Sequence, residues 1–151
     1  MRPDFGGGAA ELTTPTAPFF GEVEFFAWLG GYTDGEGYIG WDGTARVVYT
    51  TTCLPILLWL QERLEAGTLR QLSREGRTLS RKHAYQLSFS GPIARRLLMR
   101  LRTFLYEKRQ QADLVLSVEP ASPGKLLPPG EHDRRLSIRK RLREMRHREY
   151  T

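Results

Sequence analysis

Two carboxylates one residue apart, Asp34 and Glu36, stand among glycines in the stretch LGGYTDGEG, Leu29 to Gly37, directly after a run that reads as the end of an apolar helix. A helix C-terminus exposes unpaired carbonyls and carries roughly half a unit of negative charge. An acid placed there is disfavoured by about 0.3–1 kcal/mol unless something positive compensates. A hard divalent cation meets that demand, because it takes carboxylate and backbone carbonyl oxygens together and keeps waters for chemistry. A solvent-exposed, acidic, glycine-rich turn is the other reading, and spacing alone leaves both open.

The elements that must position these acids follow from period and punctuation. From Glu22, the residues Phe25, Phe26, Trp28, Leu29 and Tyr32 predict a strongly apolar helix closed by the Gly35 and Gly37 pair. Gly30 and Gly31 inside it cost roughly 1 kcal/mol each relative to alanine, which calls for the close approach of a second backbone and marks a helix built to touch another helix. Two strands follow, 38–42 and 45–51, turned at Asp42-Gly43. LPILLWLQERLEAG predicts a second helix with Pro55 in its first turn, an apolar face of Ile56, Leu57, Leu60 and Leu64, and Gly67 as its stop. A further strand pair spans 68–74 and 82–89, a third helix runs from Gly91-Pro92 to Arg102, and EKRQQADLVLSVE suggests a fourth.

At 151 residues the chain holds one compact domain with tails. Residues 1–18 read as a flexible arm, 19–119 as the domain, 120–130 as a Pro-rich linker and 131–151 as a basic helical tail. A net charge of +6 favours an anionic partner. One cysteine, Cys53, and three scattered histidines exclude an internal disulfide and a zinc-type spacing. Neither a membrane-length apolar run nor a signal-peptide core is present, so the expected compartment is the reducing cytoplasm. The expected setting is nucleoid-associated and bacterial or phage-like, with an organelle as the alternative; the preference for Arg over Lys accords with a GC-rich genome but carries no physical argument.

LGGYTDGEG resembles the signature of the LAGLIDADG homing endonucleases, with small residues at Gly30 and Gly31, aromatic Tyr32, then Asp34, Gly35, Glu36 and Gly37. The resemblance extends from Glu22 to Glu119, since KRQQADLVL, Lys108 to Leu116, looks like that family's segment after the third helix. It implies an α+β half-domain, αββαββα, with a four-stranded antiparallel DNA-binding sheet and helices on the other face. A single motif implies a homodimer whose motif helices pair through Leu29, Gly30, Gly31, Tyr32 and Asp34. By the same resemblance Glu36 and the Gly35 carbonyl hold Mg²⁺, or Mn²⁺ in its place, and Glu36, Lys108 and Cys53 are catalytic. Cys53 falls where a polar side chain organises solvent, and Leu57 where a basic one stands.

The implied activity is site-specific cutting of double-stranded DNA at a long pseudo-palindrome, leaving short 3′ overhangs, with neither a membrane nor a small-molecule substrate. The alternative is a weak or inactive relative serving as an RNA splicing cofactor or a DNA-binding regulator. Tyr38-Ile39-Gly40 also occurs in GIY-YIG nucleases, but their first tripeptide is absent.

A twisted antiparallel sheet can enter the major groove and present alternate side chains to base edges. Period two assigns to that face Tyr38, Gly40 and Asp42; Arg46, Val48 and Thr50; Arg70, Leu72 and Arg74; and Lys82, Ala84, Gln86 and Ser88. Arg77 and Arg81, with the basic tail, are expected to hold phosphates.

Overall fold

Alternating apolar and polar residues fold the strands into one antiparallel sheet, and apolar helical stripes cover one of its faces. The computed structural model describes residues 21–72, 83–118, 120 and 126–148. Along the chain run α1 (Glu22–Glu36), β1 (Gly37–Trp41), β2 (Ala45–Thr51), α2 (Leu54–Leu64), β3 (Thr68–Gln71), β4 (Tyr85–Ser90), α3 (Gly91–Leu101), a 3-10 turn (Arg102–Phe104), α4 (Arg109–Leu116) and α5 (Glu131–Arg148). Among the described residues the sheet has four strands in the order β1-β2-β4-β3. This is the expected α+β arrangement.

Register aligns the faces. Tyr38 lies opposite Val48, Val48 opposite Ser88, and Ser88 opposite Thr68. Gly40, Arg46 and Ser90 form a second row, and Thr50, Gln86 and Arg70 a third. All the even-numbered strand residues therefore share the outer face. The odd-numbered Ile39, Val47, Tyr49, Leu87 and Phe89 are buried beneath the helices.

Three local expectations shift. Helix α1 does not stop ahead of the acids; it runs through Glu36, and the Gly37 N–H closes it on the Thr33 carbonyl. Helix α2 ends at Leu64 instead of Gly67, because Glu65 turns left-handed (φ 51°) and its N–H bonds back to the carbonyls of Gln61 and Glu62. The second strand pair is shorter than predicted at β3, and residues 73–82, which include Arg74, Arg77, Arg81 and Lys82, lie outside the described residues, as does the expected arm 1–18.

Gly30 is the position where a side chain has no room. A β-carbon there would sit 2.6 Å from both the Cβ and the carbonyl oxygen of Phe104. The close backbone demanded by this glycine is thus the 3-10 turn of the same chain. Leu29, wholly buried, is likewise core.

The basic C-terminal segment is helical as expected, and it is docked. Helix α5 packs on α4 and β1, burying Ile138 and Leu142 in the main core. Arg135 lies over the Trp41 ring at 5.6 Å. Arg146 donates to the Ile39 carbonyl at 3.2 Å and lies over the Tyr38 ring at 4.7 Å. An edge strand otherwise presents unpaired backbone groups, and α5 covers this one. Among the described residues no helix is long and apolar enough to cross a membrane.

Candidate functional site

The last turn of α1 is held by a reciprocal pair. Asp34 accepts the backbone N–H groups of Tyr106 at 2.7 Å and Lys108 at 3.0 Å. Lys108, the residue that precedes α4, sends its Nζ back to the carbonyl oxygens of Thr33 at 3.1 Å and Asp34 at 2.6 Å. A carboxylate therefore faces the positive start of α4 and an ammonium faces the negative end of α1, each countering a helix dipole. Lys108 is only 9% exposed, a burial its two charge-assisted hydrogen bonds make tolerable. The compensating positive charge that the sequence demanded is supplied from within the chain.

Glu36 is left over. Its carboxylate is exposed and enters no hydrogen bond or ion pair among the described residues. No group of three or more His, Cys, Asp or Glu side chains converges among the described residues. A single chain thus offers one uncommitted carboxylate beside the Gly35 peptide. These hard oxygen donors suit Mg²⁺, but they are too few for six-fold coordination without ligands from elsewhere.

Beside Glu36, α1 shows an open strip. Ala27, Gly31 and Gly35 are exposed, and they recur every four residues along one side of the helix. A β-carbon at Gly31 or Gly35 would meet nothing within 4 Å. Of the residues expected at an interface, Gly31 lies on this strip, Leu29 and Gly30 point into the core, and Asp34 is bound to its own chain. The four-residue spacing that joins Ala27 and Gly35 to Gly31 is legible in the sequence beside the adjacent Gly30 and Gly31.

Tyr32 is half-buried against its own chain. Its ring stacks on Trp28 at 5.2 Å and on Tyr49 at 5.7 Å. Burial raises its phenol above the ordinary range, the charges of Glu36 and Cys53 raise it further, and a hydrogen bond with Thr51 works against them. Below it the Thr33 hydroxyl donates to the Leu29 carbonyl at 2.6 Å, so in the 2.7 Å contact between Thr33 and Tyr49 the Tyr49 hydroxyl is the donor. Burial drives the Tyr49 phenol far above its usual value.

Cys53 stands exposed just ahead of α2, and its N–H donates to the Thr51 hydroxyl at 3.1 Å. Leu57 has no exposed surface; the apolar face of α2 turns it inward with Leu60, so this position contributes to the core and not to any site.

On the outer sheet face, Arg46 pairs with Asp42 at 3.3 Å, Arg70 with Gln86 at 3.0 Å, and Thr50 is exposed. Thr68 and Ser90 share the face and were missed, although extending the period of two by one step reaches both. Tyr38, 41% exposed, lies flat over Gly40, where a β-carbon would come 2.5 Å from its hydroxyl oxygen. Gly40, Val48 and Ala84, all expected to contact a partner, are buried. Leu72 is half-buried and its N–H bonds to the Ala84 carbonyl at 2.8 Å.

No family model matches this sequence, and no curated protein does. Solved structures do. The homing endonuclease I-CvuI in complex with its target, in the presence of Ca, is 25% identical with a TM-score of 0.52, over 64% of this chain and 66% of that one. The chain thus spans just under two thirds of that relative. I-CvuI with the I-CreI target in the presence of Mg, its DNA not cleaved, is 24% identical with a TM-score of 0.57, over 80% of this chain and 81% of that one. An archaeal intron-encoded homing endonuclease, I-Vdi141I complexed with DNA, is 13% identical with a TM-score of 0.67, over 83% of this chain and 86% of that one.

Proposed function

We propose that this chain, which has the fold of the LAGLIDADG homing endonucleases, is a homodimeric, divalent-metal-dependent endonuclease that cuts double-stranded DNA at a long pseudo-palindromic site and leaves short 3′ overhangs. The observation that carries this reading is Glu36, an exposed carboxylate with no partner of its own at the end of a helix whose open side is Ala27, Gly31 and Gly35. Two copies apposed through that strip bring two Glu36 carboxylates to one axis, where each chain supplies the ligands the other lacks.

Mg²⁺ bound there would activate water and stabilise the leaving oxygen of a phosphodiester. Glu36 and the Gly35 carbonyl would hold it. Asp34 and Lys108 fix the last turn of α1 so that Glu36 keeps its place. The Lys108 ammonium, 2.6 Å from the Asp34 carbonyl, also adds positive potential where a phosphate would arrive. The outer sheet face offers Arg46, Arg70 and Gln86 to base edges, arginine suiting guanine and glutamine suiting adenine. Exposed Arg139, Lys140 and Arg143 of α5, with Arg77 and Arg81, would bind phosphates and make affinity fall with salt.

The test is incubation of the protein with a randomised DNA library and Mg²⁺ beside its Glu36→Gln variant, sequencing the ends produced. Discrete cuts at one near-palindrome, absent with the variant, are expected; cutting by the variant at the wild-type rate refutes the assignment. A non-cutting DNA- or RNA-binding protein is the second reading. It is favoured by Leu57 being core and by the Lys108 ammonium being spent on two carbonyls. Enrichment of bound sequences without any cut would select it.

A further inference from the structure

We propose that Arg146 is a phosphate contact of the DNA interface, brought from α5 around the edge of β1 and held at the outer sheet face by Tyr38. The inference rests on the DNA-binding part of the endonuclease reading. It goes further by giving α5 a fixed contact at the Glu36 end of the sheet, distinct from its exposed arginines and lysine.

Helix α5 lies along the edge strand. Its first half meets the hairpin end of β1, where Arg135 lies over Trp41 at 5.6 Å. About three turns later Arg146 meets the opposite end, over the Tyr38 ring at 4.7 Å and bonded to the Ile39 carbonyl at 3.2 Å. Between them Ile138 and Leu142 anchor the helix in the core. Tyr38 follows Glu36 by two residues, so the C-terminal end of α5 is turned toward the candidate metal ligand.

The seat of Arg146 is specific. Tyr38 belongs to the outer row with Val48 and Ser88. Its ring lies over Gly40, where a β-carbon would come 2.5 Å from the hydroxyl oxygen, so a glycine at this place lets the ring lie down on the sheet. A guanidinium over that ring and tied to a strand carbonyl is held in position before any ligand arrives. Its charge has no counter-ion. Arg46, Arg134 and Arg135 each meet a carboxylate, whereas no ion pair among the described residues includes the half-buried Arg146. Of its five N–H donors, the bond to Ile39 takes one.

Position selects the acceptor. Three inter-strand spacings of about 4.8 Å make a four-stranded sheet about 14 Å wide, against a major groove about 12 Å wide. The central strands β2 and β4 then face base edges, and the edge strand β1 lies against a wall of phosphates. A guanidinium there grips a phosphate with two N–H groups. Such a contact reads no sequence; it sets where the duplex lies relative to Glu36.

The test uses the sequence that the randomised library yields, by cutting or by retention, and a mixed-sequence duplex of the same length, both in Ca²⁺ over a range of salt. Arg146→Gln should weaken binding to both duplexes by roughly tenfold, and should flatten the slope of log affinity against log salt by about 0.9 for each chain bound. Arg146→Lys, which keeps the charge and loses the fork, should keep the slope. The unfolding midpoint and the hydrogen-exchange protection of α5 should stay at wild-type values, because Ile138 and Leu142 dock the helix. Wild-type affinity and slope in Arg146→Gln overturn the inference and leave the endonuclease reading intact. A loss confined to the selected sequence makes Arg146 a base contact, and a slope flattened equally by lysine removes the role of charge; either overturns it. A loss matched by lower stability or by lost protection of α5 assigns Arg146 to helix docking and overturns it too. Failure of the wild-type protein to bind any DNA overturns both.

Discussion

Replacing Lys108 by methionine isolates the pair that closes α1 on α4. Methionine has a similar length and no charge, so the change deletes two hydrogen bonds from a buried ammonium, at 3.1 and 2.6 Å, while preserving most of the packing. Each bond to a charged group is worth about 1.5–3 kcal/mol net, and the dipole of α1 adds about 0.5 kcal/mol. These net values already include the desolvation of the ammonium, so the loss is at least about 3.5 kcal/mol, or roughly 7–14 °C in thermal midpoint at 2–4 °C per kcal/mol for a chain of this size. Urea unfolding followed by tryptophan emission at fixed protein concentration measures it, concentration being held because a dimer's stability depends on it. Asp34→Asn should be coupled to it by about 1 kcal/mol or more in a double-mutant cycle, since both anchor one junction. A variant melting within 2 °C of wild type, a margin of about 1 kcal/mol or less, would refute the argument that Lys108 balances the helix end.

Three further outcomes are expected. Gly30→Ala should destabilise the fold by about 1–3 kcal/mol by driving a methyl into Phe104, whereas Gly31→Ala should leave each chain as stable or firmer yet shift sedimentation toward monomer. Tyr49→Phe bears on the alkaline limb. Below pH about 10 both states keep the Tyr49 phenol protonated, so its stabilising share is fully present there. As pH rises past that value the unfolded phenol ionises while the buried one resists, and stability falls until the raised folded value is passed. Urea midpoints from pH 8 to 11 should therefore drop less steeply in the variant, which loses about 1 kcal/mol at neutral pH with the bond to Thr33. Leu142→Ala should cost about 2–5 kcal/mol and strip hydrogen-exchange protection from α5, with α5 as protected as before counting against its docking on β1.

The sequence by itself carried the motif, the order of elements through the third helix, and the face of the sheet on which each strand residue lies. These depend on local rules: period two separates Ile39 and Val47 from Tyr38 and Arg46, and a Gly-Pro start opens α3 whatever lies beside it. Tertiary structure decided what covers each face. Periodicity put Val48 and Gly40 on the outside, but Tyr38 folds over Gly40 and α5 closes over Tyr38 through Arg146, which also bonds to Ile39, 107 residues back along the chain. Two adjacent glycines look alike in sequence; the helix rotates them about 100° apart, so Gly30 meets Phe104 and Gly31 meets open space. The charge at the end of α1 was legible as a need, and its answer was not. Lys108 lies 74 residues beyond Asp34, and only the folded chain brings its ammonium to those carbonyls, leaving Glu36 as the acid with nothing of its own to bind.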